Sequence, residues 1–367
     1  ADSATKAVIA AGGALGLLLT PFTVSLVAAL RLPASRVASW MAYFGAGCYL
    51  VAAAVPVLPI FVVCSVGALT AALAMVPLLT HMYQENYPGG ERGARFSRTT
   101  MIRIASAAGF SWAGGAFISG HLERFPWLLL AFAASMGLAG RWLARIPTGR
   151  LSEEGGANPF RAFRYIREDR VFRITLVSWM LMGIGNLMMW PLRVEYLANP
   201  KYGLGLSAAA VAMLTGVIPN VTRFMMSSVW GALFDRMNFF ALRGAINLGF
   251  AFGILVFFTG DSLPWLVVAA AIYGVASAGG DIAWSLWVTK ITSPKRVADY
   301  MSVHTFLNGV RSAIAPFLAF SFVEGLPIRW LGWICAGLIV LATVILIPDM
   351  RQPVRRRPEP LIEEVPD

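Results

Sequence analysis

Eleven stretches of this chain stay apolar for about 20 residues at a time, and that length decides the solvent before any other feature is considered. A helix rises about 1.5 Å per residue, so roughly 20 apolar residues cross a hydrocarbon core about 30 Å thick. Inside lipid the backbone must satisfy its own polar groups, and runs of this length do so as helices. The runs lie at 7–30, 38–57, 58–82, 99–119, 126–145, 174–197, 207–233, 241–260, 264–290, 300–325 and 330–348. Only 13% of the 367 residues are charged and 57% are hydrophobic, whereas soluble domains carry roughly 25% charged residues. The expected fold class is an all-α integral membrane protein. The first run is too long for a signal peptide, and no small-residue cleavage site is followed by a soluble domain.

Orientation follows from lysine and arginine, which accumulate in cytoplasmic loops. If "RLPASR" after the first run is cytoplasmic, alternate connections hold 22 basic residues, among them Arg92, Arg95 and Arg98 and four arginines of the tail "MRQPVRRR". The opposite side holds five: Lys6, Arg124, Arg193, Lys201 and Arg329. This bias predicts a cytoplasmic C-terminus. It also accounts for the net charge of +11 without a nucleic-acid partner, because the basic residues come in short clusters between apolar runs. Cys48, Cys64 and Cys335 all sit inside apolar runs with no CxxC spacing, so neither a disulfide framework nor a metal site is expected.

The two halves read as repeats. "YPGGERGARFS" at 87–97 matches "TSPKRVADYMS" at 292–302, and "LPASRVASWMAYFGAG" at 32–47 matches "FFALRGAINLGFAFG" at 239–253, both at an offset of about 206. Run 174–197 then has no counterpart, and a native helix ahead of residue 1 is expected; a reading frame beginning at or near Ala1 would remove that expectation. The organisation expected is an N-terminal bundle at 1–145, a cytoplasmic linker at 146–173, a C-terminal six-helix bundle at 174–350 and a cytoplasmic tail at 351–367. In the linker, Asn158-Pro159 reads as a helix cap and first turn. A charged amphipathic helix with Phe160, Phe163 and Tyr165 is expected to follow, lying on the membrane surface.

Six plus six helices in parallel repeat around a long basic linker resemble the major facilitator superfamily. The stretch "GALFDRMNFFALR", with Gly231, Asp235, Arg236 and Arg243, is similar to the family's loop motif Gly-x-x-x-Asp-Arg followed by basic residues. Asn238 and Phe239 stand where Gly and Arg are usual, and "SLVAALRLPASR" in the first half has lost the acidic residue. The resemblance implies that the glycine permits close helix packing and that the aspartate caps a neighbouring helix and pairs with arginine, latching the cytoplasmic side. The family's fourth-helix arginine is absent from "VVCSVGALTAALAMVP". Its antiporter signature ending Gly-Pro-x-x-Gly-Gly is here "FSWAGG", so a drug/proton antiporter is not implied.

Ionisable residues within spans mark functional sites by default. Arg223, Asp281 and Arg311 lie 9–11 residues from the cytoplasmic ends of their runs, about 13–17 Å deep and close to the midplane. In the fold that the resemblance implies, their helices line the central cavity. The functional reading gives both arginines to an anionic substrate, with Asp281 as neutralising or protonatable partner; the structural one is a salt bridge holding neighbouring helices in register. Asn220, Asn308, His304 and Trp284 are the expected polar and stacking neighbours, for any of which helix–helix hydrogen bonding serves as well. The two glycines before Asp281 would let a neighbour or substrate approach closely. Trp287 reads as an aromatic-belt residue, and snorkelling explains Arg103 at least as well as a site does. Pro21, Pro191, Pro219 and Pro316 would supply kinks.

No HExxH, GxSxG or phosphate-binding loop occurs, and His81, His121 and His304 fall at different depths, so neither an enzyme nor a cofactor is expected. The expectation is a bacterial inner-membrane secondary transporter for a small anionic or zwitterionic organic solute, coupled to protons or another ion and working by rocker-switch alternating access. The alternative is a non-transporting subunit or assembly factor of a larger membrane complex.

Overall fold

The computed structural model describes residues 12–119, 121–151 and 158–350. Lys6, the start of the first run, linker residues 152–157, the tail from 351 and the helix expected ahead of residue 1 lie outside the described residues. Each of the eleven apolar runs forms a helix. These are α1, a pair Gly12–Leu18 and Thr20–Ala29 bent by 46°; α2, Ala34–Ala54; α3, Leu58–Asn86; α4, Arg92–Ile118; and α5, Phe125–Leu143. There follow α6, Arg170–Ala198; α7, Ala208–Arg236; α8, Phe239–Thr259; α9, Leu263–Leu286; α10, Val297–Gly325; and α11, Ile328–Val344. Eight of them are long and apolar enough to cross a membrane, nine with the bent α1. The other two are α5, which carries Arg141 in its last turn, and α11, which has 17 residues.

Packing repeats the sequence offset. α2 packs on α3 and α5 in the first half, as their counterparts α8, α9 and α11 pack in the second. Across the halves, α4 lies on α7 and α10 lies on α1, a reciprocal exchange of counterparts. The chain is an all-α membrane protein of two helical bundles in parallel repeat. The repeat extends to the breaks. α1 bends just before Pro21, and its counterpart α7 carries a π-turn, Met213–Val217, just before Pro219. Proline lacks the amide that would continue the ladder, so both breaks have the same cause. Residues 105–113 of α4 are all exposed.

The linker differs from its expected form. It makes a 3-10 turn, Arg161–Phe163, and a five-residue helix, Arg164–Glu168, and it docks into the base of the bundles. Phe160 meets Phe22 of α1 and Phe306 of α10, and Phe163 also meets Phe306, with ring centroids 5.4–6.1 Å apart. Arg161 Nη2 lies 3.4 Å from Asp299 Oδ1, both side chains buried. Asp169 accepts from the Phe172 amide at the start of α6 and from the Tyr300 hydroxyl. Aromatic contacts with α1 and α10 and a desolvated ion pair therefore replace a surface helix. Losing one partner of a buried pair costs about 3 kcal/mol, so Arg161→Ala should lower Tm of the solubilised protein clearly. The double change Arg161→Ala/Asp299→Ala should cost less than the sum of the single changes. Additive losses would place the linker's hold in its phenylalanines alone.

Candidate functional site

Helices of the two halves touch beside the connection between α7 and α8. Asp235, at the end of α7, accepts from the Gly93 amide at 2.7 Å and the Ala94 amide at 2.9 Å. These are first-turn amides of α4, which have no partner within their own helix, and a carboxylate there also meets the positive end of the helix dipole. Gly231 allows the approach: a Cβ at that position would stand 2.7 Å from the Gly93 carbonyl oxygen and from Ser97 Oγ. Of the two roles implied for Asp235, capping matches this geometry. The pairing with arginine does not, since Asp235 forms no ion pair among the described residues. Arg236 is exposed. Arg243 departs further from its expected place on the loop. It is fully buried, one turn into α8, with its guanidinium 3.4 Å from the centroid of the Trp179 ring on α6.

Two to three turns further into the bundles, Asp281 on α9 is held by Arg223 on α7. The Arg223 Nε donates to Asp281 Oδ2 at 2.6 Å, and its Nη2 meets the same oxygen. Arg103 of α4, in the other half, places Nη2 at 3.6 Å from that oxygen as well. Asp281 Oδ1 makes no hydrogen bond among the described residues. The site is open to its surroundings: the Asp281 and Arg223 side chains are 22% and 27% exposed, and Arg103 is 63% exposed. Arg103 is thus a partner across the halves rather than a snorkelling residue. Its sequence signal was only its position on the helix that also carries the antiporter-like "FSWAGG".

The remaining expected residues separate into two places. Asn220 is exposed on α7, one turn before Arg223. Arg311, Asn308 and His304 lie inside the second bundle instead of joining Arg223. Arg311 donates to the Trp179 carbonyl and to Asn308 Oδ1, and it fills the gap left by Gly183, where any Cβ would collide with the guanidinium. His304 is fully buried, its ring 5.1 Å from Trp179, 5.2 Å from Trp287 and 5.7 Å from the half-buried Trp284. Trp287 is therefore a core residue, stacked near Phe172 and Phe239, rather than part of an aromatic belt. Gly279 and Gly280 serve the neighbour: a Cβ on either would press on Ile246, Trp230 or Phe250. Helical position alone could not tell which face of α10 turns inward, so Trp179, Gly183 and Asn247 escaped notice and Arg243 was placed on the loop.

Among the described residues no cluster of histidine, cysteine and carboxylate could hold a metal ion. A family model described as Major Facilitator Superfamily matches residues 202–364. Uncharacterised MFS-type transporters from two strains of Mycobacterium tuberculosis are each 34% identical over 121 residues, which is 32% of this chain. The chain matches only 26% of the length of these curated relatives. The Escherichia coli fucose:proton symporter FucP superposes with a TM-score of 0.75 at 12% identity, covering 96% of this chain and 92% of the symporter. The human organic anion transporter MFSD10 gives 0.73 at 19% identity, over 92% and 82%. Residues 202–364 thus match the Major Facilitator Superfamily, and the whole chain has the fold of solved transporters of that superfamily.

Proposed function

We propose that the protein is a secondary active transporter for a small anionic or zwitterionic organic solute, with Arg223 and Arg103 as its anion contacts and Asp281 as the group they release. The observation that carries this is the meeting of three charges from both halves on one carboxylate oxygen at the depth of the membrane. Two guanidiniums against one carboxylate leave a net positive charge, and a substrate carboxylate is the complement that two planar forks suit. When substrate takes an arginine, Asp281 is free to take a proton, which would couple the two fluxes. The names of the similar structures, an organic anion transporter and a proton symporter, are in keeping with both parts.

Alternating access then amounts to opening and closing the α4–α7 and α1–α10 seams, with the Gly93–Gly231 contact and the Asp235 cap as the gate on the arginine-rich side. By the charge bias that side faces the cytoplasm of a bacterial cell, with residues 1–145 and 174–350 as the moving bodies. Asn220 and Trp284 flank the pair as further solute contacts, and Arg311, Asn308 and His304 support them from within the second bundle.

The direct test is equilibrium binding of purified protein to a panel of small carboxylates, phosphate esters and amino acids. At least one should bind, and Arg223→Gln should weaken it at least about tenfold, the equivalent of one charge-assisted hydrogen bond. A panel bound by neither protein, or bound equally by both, would end this reading.

A further inference from the structure

Where α6, α8, α9 and α10 meet, the second bundle gathers buried hydrogen-bonding groups without partners, most of them donors. None of the three guanidinium nitrogens of Arg243 has a hydrogen-bond partner, and neither does Nε of Arg311. The indole N–H groups of Trp179 and Trp287 are likewise unpartnered, as are both ring nitrogens of His304 and the amide of Asn247, one turn after Arg243. All six residues are buried. Arg243 and Arg311 lie within electrostatic reach of each other and of His304.

The surrounding carboxylates are engaged elsewhere. Asp281 holds Arg223 and Arg103, Asp299 meets Arg161, Asp169 caps α6 and takes the Tyr300 hydroxyl, and Asp349 meets Arg170. Arginine keeps its proton in proteins. An unpaired buried cation is strongly disfavoured, and the cation–π contact of Arg243 with Trp179 offsets only part of that. The ring does not balance the charge. Buried polar groups without partners are rare, and Trp179 gathers three of these residues: Arg243 over its ring, His304 beside it and Arg311 on its carbonyl.

We propose that this cluster binds a small monovalent inorganic anion of halide size, held by Arg243 and Arg311 with the Trp179 and Trp287 N–H groups. The rings of Trp179 and Trp287 pack on His304 and Arg311 takes the space that Gly183 leaves, so a small ion suits the cluster and an organic acid does not. The anion ties α6, α8 and α10 together inside one bundle and is separate from the solute site between the bundles.

Two measurements on the full-length purified protein decide it. In sodium chloride the ³⁵Cl resonance should broaden in proportion to protein, and bromide should abolish the broadening. Tm should rise saturably with chloride by at least about 3 °C over sodium gluconate at the same ionic strength. Arg243→Gln should remove both effects, and Arg223→Gln should keep both. Equal Tm in the two salts with no broadening in the wild type would overturn the proposal, even if Arg243→Gln failed to fold. So would broadening lost in Arg223→Gln but kept in Arg243→Gln, which would put the anion in the other site.

Discussion

Asp281→Asn is expected to abolish ion-coupled uptake while leaving the protein folded and its affinity for the solute undiminished. Asparagine has the same shape and can still accept from Arg223 through one oxygen, so the helices keep their spacing. What disappears is the negative charge and the place for a proton. Two arginines, Arg103 and Arg223, then face the cleft between the bundles without their shared counter-charge. On the proposed reading a substrate carboxylate displaces Asp281 from these groups, and an ion pair this partly exposed is worth on the order of 1 kcal/mol. Removing the competitor should therefore tighten equilibrium binding of an anionic solute, by up to about tenfold. Uptake driven by a proton gradient should fall to background in the same variant. The opposed signs separate the proposal from its rivals. If uptake and binding fell together, Asp281 would be a structural strut. Uptake at the wild-type level would remove it from coupling altogether.

How much of this was legible in the sequence depends on what each feature requires. The helices follow from run length and backbone satisfaction alone, which is why all eleven runs became helices. That Asp281 meets an arginine follows from depth, since opposite charges at one level on helices of one bundle have few other partners; which arginine it meets does not. Arg311 sat at the same depth and did not join them. Depth fixes position along a helix but not the direction around it, and α10 turns Arg311, Asn308 and His304 toward α6, where Gly183 makes room. Arg103 failed for a related reason: its partner lies on a helix of the other bundle, and no pattern within "TTMIRIASAAG" reports on a neighbour in space. The linker was misread because its phenylalanines gave the same amphipathic signal whether their apolar surface was lipid or the base of α1 and α10. Trp287 looked interfacial from its distance to Lys290, yet α9 ends one residue before it and the ring turns inward beside Phe172.

Gly231→Ala sets two physical effects against each other with opposite signs. Intrinsic helix propensity favours alanine over glycine by about 1 kcal/mol in a helix interior, so on that ground alone α7 should become more stable. The contact between the bundles says otherwise. A Cβ at residue 231 would stand 2.7 Å from the Gly93 carbonyl oxygen and 2.8 Å from Ser97 Cβ, and the first of these is backbone that cannot swing aside. The first turn of α4 must therefore move away from α7, and the two amide bonds to Asp235 lengthen with it. Each charge-assisted hydrogen bond is worth about 1.5–3 kcal/mol, so weakening both outweighs the propensity gain. A net loss of roughly 2 kcal/mol shifts the balance between closed and open gates about thirtyfold. Ser97, buried in this seam, is the reporter. With Cys48, Cys64 and Cys335 replaced, Ser97→Cys should react slowly with a membrane-impermeant maleimide applied from the arginine-rich side. The added Gly231→Ala should speed labelling at least tenfold and lower uptake. Asp235→Asn should act in the same direction and more weakly, because it removes the charge without forcing the helices apart. Labelling that stays slow with alanine at 231 would mean the α4–α7 seam yields without opening, and the gate would have to lie along α1 and α10 instead.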